Sequence, residues 1–389
     1  MPSSSSLTKS RTKPHSHEKP NGSVPPHQPG IRSDRCDRTS RNISRIGGGS
    51  AVASEADWDP TIFVAFGEDA TATNEYAEQR LGEVWLRTVQ GHDGKFFFVQ
   101  ANDPWVLDPE ENAAILDRPL YRSQRMLYPV LAGVGGILTA GGAVWGLLII
   151  NLLAIGFGTG AVARLATEIG GSEWWGLSFV LNVGFMSEMT IDGAGVVSAF
   201  FAFLAVLLVF RDRMVPSHFC LSLAVISREA MLVAAAGVAF WLWRNNRRRE
   251  AAMTAALPAG AAILWAVYLR LRIDSDPGVD QLQEIGFPFK GLVQAFEHWS
   301  NDPFDLAVGL TMVALIVLYT RRTLVSTHLL GWAFLGFVPL GILFTEQVWN
   351  SWFDISRAIA PVITAYVLLL HVSTRNPEPG FLAKRTGVR

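Results

Sequence analysis

The chain has 389 residues, 49% hydrophobic and 17% charged, with a formal net charge of -1. Soluble domains average about 25% charged residues, and here the apolar excess is clustered: no Lys, Arg, Asp or Glu occurs over the 38 residues from Met126 to Ala163. Since ~20 apolar residues cross a bilayer core, an ordinary soluble globule is excluded and an all-α polytopic membrane protein is expected. Cys36 lies in a polar tail and Cys220 in an apolar run, so no disulfide framework or cysteine metal site is expected. Nothing in the charge balance points to nucleic acid as a partner.

Residues 1–50 read as a disordered basic tail: the first 46 hold six prolines, nine Lys/Arg and three acids, too little apolar surface to fold. No apolar core follows the basic residues, so this is not a signal peptide. His15, His17 and His27 in so Pro-broken a stretch read as solvated rather than metal-binding. Residues 51–125 read as an external loop with amphipathic helices. Leu81, Val84, Trp85 and Thr88 fall at helical spacing, which predicts a helix lying in the membrane interface. Phe96, Phe97, Phe98 and Trp105 are expected at the same surface.

Residues 126–374 form the transmembrane helical domain. The Gly-rich stretch Gly133–Gly142 divides the first apolar block into an interfacial or re-entrant helix and a crossing at about 143–163. That stretch lacks the Lys-Ser/Thr ending of a phosphate loop and reads as a bend or a close helix contact. Trp174–Phe210, broken at Ser187–Gly193, predicts a hairpin of two short crossings. Ser217–Trp243 carries Arg228 and Glu229 at its middle and leads into Arg244 and Arg247–Arg249. Because cytoplasmic loops collect Lys and Arg, two half-helices with Ser227-Arg228-Glu229 at the apex are expected. Crossings follow at about 251–272, 305–320, 325–345 and 356–374, with residues 375–389 as a cytoplasmic tail. The 273–304 loop, with one Lys and six acids, belongs outside. The expectation is about seven full crossings plus one half-membrane hairpin.

Parity then puts residues 68–125 outside while the basic tail belongs inside, yet Gly47–Gly67 contains Glu55, Asp57 and Asp59 and cannot span. Either a first helix is missing or the tail is external; loss of the helix, through a wrong start or a truncated gene, is the expectation.

The polar residues gather on the external side. Asp93, Asp103, Asp108, Arg118, Arg122 and Arg125 lie in the first loop, and Glu188, Asp192, Arg228, Glu229, Lys290, Glu346, Asp354 and Arg357 at or near external helix ends. Ionisable groups at membrane depth are functional candidates by default. Arginines beside acids suit a lipid-linked phosphate, which guanidiniums would neutralise by bidentate bonding, while a carboxylate could take a proton from an acceptor hydroxyl.

The run Gly91-His92-Asp93-Gly94-Lys95-Phe96-Phe97-Phe98, then Asp103-Pro104, then Asp117-Arg118-Pro119-Leu120-Tyr121-Arg122-Ser123-Gln124-Arg125 resembles a group of bacterial membrane proteins named for cell-surface glycopolymer formation. Their pattern has an external G-[YH]-D-G-x-[FY]-[FY] loop and a D-R-P-x-Y-R-x-Q-R segment. That group resembles the GT-C class of glycosyltransferases, which take sugars from polyprenyl-phosphate carriers. The similarity runs from about Asp57 to the last helix and includes Ser227-Arg228-Glu229 and Phe353-Asp354-Ile355-Ser356-Arg357-Ala358. In the family's pattern a transmembrane helix precedes the loop, and this sequence has none there.

The resemblance implies an inverting transferase of the bacterial plasma membrane, multi-pass, with its active face external. Its partners would be a lipid-linked sugar donor, a glycan acceptor and membrane lipids. Asp93 would be the catalytic base, and Arg118, Tyr121, Arg122, Arg125, Arg228 and Arg357 would bind the substrate phosphate; Asp103, Glu188, Asp192, Glu229 and Lys290 are further candidates. No cofactor is required and no metal ligands are assigned, although such chemistry admits a divalent cation. Blander readings stand beside these. Asp93 fits an N-cap, His92 a turn rather than a metal ligand, and Asp103 and Asp108 before prolines fit turns. Arg122 and Arg125 fit a membrane boundary, and Arg228 and Glu229 can neutralise each other. A transporter or flippase of lipid-linked saccharide, or an inactive assembly subunit, is the alternative to an enzyme.

Overall fold

The computed structural model describes residues 58–87, 91–139, 141–274 and 284–371. The expectations for the basic tail, its histidines, Cys36, Thr88, the middle of the acidic loop and the C-terminal tail lie outside the described residues. The described chain is almost entirely helical; its sheet is a two-residue parallel pairing of β1 (Phe66–Gly67) with β2 (Leu86–Arg87).

In the first region α1 (Thr71–Leu81), α2 (Gly94–Asn102) and α3 (Pro109–Ile115) surround that sheet. The interfacial helix expected through Leu81, Val84 and Trp85 is not formed: α1 stops at Gly82, whose φ of 81° ends the helix, and the chain turns into β2. Positive φ carries little steric cost at glycine, so a local backbone choice overrides the side-chain spacing. The three phenylalanines are likewise not at a membrane surface. Phe98 is fully buried, edge-on to Phe66 at 5.8 Å, and Phe97 meets Tyr128 edge-on at 5.2 Å. Three consecutive residues point around most of a helix at 3.6 residues per turn, and α2 is covered on several sides.

The helical body follows. Among the described residues, three helices are long and apolar enough to cross a membrane: α5 (Gly142–Glu168), α10 (Arg248–Arg272) and α12 (Pro303–Ser326). A fourth span results if α15 (Trp352–Ala358) and α16 (Ala360–His371), bent by 62°, are taken together. The protein is therefore membrane-embedded. Shorter apolar helices fill the rest: α4 (Leu127–Leu138), α7 (Gly195–Phe210), α8 (Met214–Ser227), α9 (Leu232–Arg244), and the successive α13 (Leu329–Phe334) and α14 (Phe337–Leu343). Neighbours pack in the order α2, α4, α5, α7, α8, α10, α9, α13, α16, α12.

Several breaks shape the body. The Gly-rich segment lets α4 fold back on α5, since a Cβ at Gly142 would overlap the Gly135 carbonyl and one at Gly146 the Ala132 carbonyl. Tyr128 then locks the pair, its hydroxyl donating to Leu147 O at 3.0 Å and accepting from Asn151 Nδ2 at 2.7 Å. Between α5 and α7 the first arm of the expected hairpin is fragmented. Asn182 interrupts it by accepting from Gly184 N at 3.0 Å, which starts α6 (Val183–Met189), while its amide donates to Ala360 O at 2.8 Å. Arg228 is extended between α8 and α9 (φ -155°, ψ 116°), so the helix does stop at the charged apex. The segment expected to cross at 325–345 is split at Leu335–Gly336, where a Cβ on Gly336 would stand 2.7 Å from Val233 Cβ.

Candidate functional site

The site begins with a tight loop. A Cβ at Gly91 would stand 2.5 Å from Ala65 O, and one at Gly94 would stand 2.5 Å from both Val64 O and Ile191 O. Both glycines are thus demanded by close backbone approach. Squeezed between them, His92 and Asp93 are held against β1 on one side and the turn after α6 on the other. Arg87 ties the same elements together by donating to Ile62 O and Thr190 O.

Asp93 stands at the start of α2 but its side chain makes no capping bond. Its carboxylate meets three guanidiniums instead. Arg122 Nη1 donates to Oδ1 at 2.8 Å, and Arg125 Nη1 and Arg357 Nη2 donate to Oδ2 at 3.3 and 3.4 Å. Burial alone would raise the Asp93 carboxyl, but Arg122, Arg125 and Arg357 outweigh it and hold the group well below the usual carboxylate range. His92 stacks near Phe353 with ring centroids 5.2 Å apart; burial and the Arg357 charge push it down to about 4, so it is neutral at pH 7.

Each of the three arginines is saturated. Arg122 also grips Asp117 through Nε and Nη2 at 2.8 and 2.9 Å and lies over the Phe96 ring. Arg125 forks onto Glu229 at 3.3 and 3.1 Å and donates to the Tyr121 hydroxyl at 2.8 Å. Arg357 spends Nε on Glu188 at 3.2 Å and Nη1 on Asp354 at 3.1 Å. The one-turn helix Pro119–Arg122 and the turn after it set this spacing, putting Tyr121, Arg122 and Arg125 on one side. By contrast, among the described residues Arg228 has one bond, Nη1 to Glu188 at 3.1 Å, and Arg118, paired with Glu284 at 2.9 Å, keeps a buried Nη1 with no acceptor.

These groups line a cavity of about 700 Å³. Asp93, Arg118, Tyr121, Arg122, Arg125, Arg228, Glu229 and Arg357 all face it, together with His92, Arg270, Glu284 and Asp354. The lining also has an apolar part, contributed by Leu232 and Val233 of α9, Phe337 and Leu340 of α14, and Phe344. No protein-family model, curated protein or solved structure matches the chain. The case for function therefore rests on this cavity and on the sequence motifs that line it.

Four sequence candidates do not line the cavity. Asp103 is spent on a turn, accepting from Leu107 N at 2.8 Å, Asp108 N at 3.0 Å and Asn112 Nδ2 at 2.9 Å. Its carboxylate fits the turn-forming chemistry of an Asp before proline rather than substrate contact. Lys290 is exposed at the start of α11 (Lys290–Trp299). Asp192 is wholly buried in the turn after α6, and Glu188 lies behind Arg228 and Arg357. The sequence reading missed Arg270 and the apolar lining. Arg270 had a signal, a basic residue in the last turn of the apolar helix α10; the apolar lining residues had none beyond ordinary helix hydrophobicity. Among the described residues no group of three or more His, Cys, Asp or Glu is disposed to hold a metal ion.

Proposed function

We propose that the protein is a membrane glycosyltransferase that moves a sugar from a polyprenyl-phosphate donor to a cell-surface glycan or glycopolymer. The observation that carries this reading is the mixed lining of the cavity, which holds both a carboxylate ringed by guanidiniums and apolar side chains of α9 and α14. A phosphate joined to a long hydrocarbon is the ligand chemistry that needs both at once. The loop motifs around Asp93 and Arg122, which resemble the glycopolymer-formation proteins, line this same cavity.

In the proposed reaction the acceptor hydroxyl attacks the anomeric carbon, Asp93 takes the hydroxyl proton, and the anomeric C–O bond to phosphate breaks with inversion. In the resting arrangement Asp93 is a weak base because three cations hold its charge. A donor phosphate gives Arg122, Arg125 and Arg357 a second anion, and as they turn to it the carboxylate regains basicity. Those guanidiniums then stabilise the departing lipid phosphate. The expected setting is a bacterial plasma membrane, with the cavity external and about seven crossings plus a half-membrane hairpin in a GT-C-like layout.

Purified protein incubated with labelled polyprenyl-phosphate sugars should release polyprenyl phosphate and label a glycan acceptor, while Asp93→Asn should not. Transport of the labelled lipid without cleavage would favour a flippase, a reading that draws on the 62° break between α15 and α16 beside Arg357, because discontinuous helices mark many transporter sites. Neither cleavage nor transport would leave an assembly subunit. Topology has its own check: single cysteines near Asn246 and Arg322 should resist an impermeant reagent in intact cells, and one near Phe287 should react.

A further inference from the structure

We infer that Glu188 is a positioning residue that aims two cavity guanidiniums, Arg228 and Arg357, at the phosphate of the substrate; the substrate class rests on the reading proposed above. Glu188 is 2% exposed and does not face the cavity. Its Oε1 accepts from Arg357 Nε at 3.2 Å and from Arg228 Nη1 at 3.1 Å, and its Oε2 accepts from Gly195 N at 3.2 Å. One carboxylate thus joins the break between α8 and α9 to the end of α15, segments more than a hundred residues apart in sequence.

The seat is built for a carboxylate of this length. A Cβ at Gly193 would overlap Glu188 Oε2, and one at Gly195 would stand 2.6 Å from Oε1. On the same short helix a Cβ at Gly184 would overlap the Ser356 carbonyl, so α6 is pressed against the segment that carries Arg357. The way each guanidinium is tied matters more than the tie itself. Holding Arg357 by Nε leaves its two terminal nitrogens for Asp354 and Asp93. Holding Arg228 by Nη1 leaves Nε and Nη2, among the described residues, without a protein acceptor at the cavity edge. A planar fork presented that way matches two phosphate oxygens. Without the carboxylate, both side chains would regain rotamer freedom, and Arg228 would lose its one fixed point.

The test uses the full chain in lipid nanodiscs, with farnesyl phosphate as a short polyprenyl monophosphate probe. Glu188→Gln should weaken farnesyl phosphate binding by about tenfold or more, the scale on which small misplacements of binding groups act. Glu188→Asp, which keeps the charge, should recover part of the loss. Because Glu188 acts in part through Arg228, the loss in the double variant Glu188→Gln with Arg228→Gln should be smaller than the sum of the two single losses. A purely structural role would give additive losses and so overturn the inference. A second arm is independent of the ligand: phenylglyoxal modification of Arg228 and Arg357, mapped by mass spectrometry, should rise in Glu188→Gln and fall back in Glu188→Asp. If wild type fails to bind farnesyl phosphate, the lipid-phosphate reading fails, while the modification pattern still decides whether Glu188 aims the arginines. Unchanged modification would overturn that role. If Glu188→Gln does not fold, the same two measurements are made on Glu188→Asp, whose shorter reach should raise modification of both arginines above wild type; a wild-type pattern there would overturn it as well.

Discussion

Both ends of α7 lie beside arginine–carboxylate pairs, and the two sets differ in how many partners each charge has. At the C-terminal end Arg211 meets Glu168 at 2.8 Å with both side chains about 40% exposed, at 43% and 35%. Close by, Arg247 holds Asp212 at 2.7 Å, with Asp212 again open to water. At the N-terminal end Glu188 is shared by two arginines, Arg357 by three acids, and Asp93 by three arginines. Exposed pairs contribute roughly 0–1 kcal/mol and are screened by salt. Buried ones cost desolvation and tolerate no missing partner. Charge at the N-terminal end is concentrated in buried, shared groups, an arrangement that costs desolvation and makes this end the candidate site.

The sharpest way to break this contrast is Asp93→Asn. Its turnover in the donor-cleavage assay should fall roughly 10²–10⁴-fold, the usual worth of a general base, and the loss of one anion among three cations should also lower thermal stability. Near-normal turnover would remove Asp93 as the base, and with Asp103 held in its turn the cavity carboxylates Glu229, Glu284 and Asp354 would be the next to test.

Next in size is Arg125→Lys, which keeps the charge but not the fork onto Glu229. Farnesyl phosphate affinity should drop about tenfold to a hundredfold, corresponding to the 1.5–3 kcal/mol of a charged hydrogen bond. Equal affinity, measured by calorimetry, would reduce Arg125 to a structural tie.

A smaller effect concerns His92, held at about 4 against an ordinary 6.5 by burial and then by Arg357 and the weaker Arg87 and Lys95 charges, with Asp93 opposing. Between those values the unfolded chain binds the proton and the folded one does not, so stability rises with pH across the window. The unfolding midpoint should therefore climb from pH 4 to 6.5 in wild type and climb less in His92→Phe; parallel curves would remove His92 as the cause. At the far end of α7, Glu168→Gln should shift stability by no more than about 1 kcal/mol and leave donor cleavage unchanged. A large loss there would erase the distinction between the two ends.

Parts of this were legible before any coordinates. Arg228 and Glu229 interrupt an apolar run, and charge in the middle of such a run is costly enough to force a break, which is where the helix stops. Gly133–Gly142 announced a close helix contact, because glycine removes the side chain that would keep backbones apart. The phenylalanines were misread because a run of aromatics looks the same whether it meets lipid or core; only the surrounding α1, β1 and α4 settle it. The 81–88 periodicity was overridden by one glycine. Glu188 gave no local sign of what it holds, since Arg228 lies 40 residues away and Arg357 169, distances that no spacing rule reads. The nearest hint was Gly193-Ala194-Gly195, three small residues following Asp192.

The saturation of Arg122, Arg125 and Arg357 has a consequence for selectivity. A site whose cations already hold carboxylates gains little from a stray sulfate or free phosphate, since such an ion must displace an anion tethered at high local concentration. An entrant prevails only if it brings something besides charge, and a hydrocarbon chain settling on Phe337, Leu340 and Phe344 is that something. On the proposed reading, the carboxylates at these three arginines would act as a filter that favours amphiphiles over mineral anions.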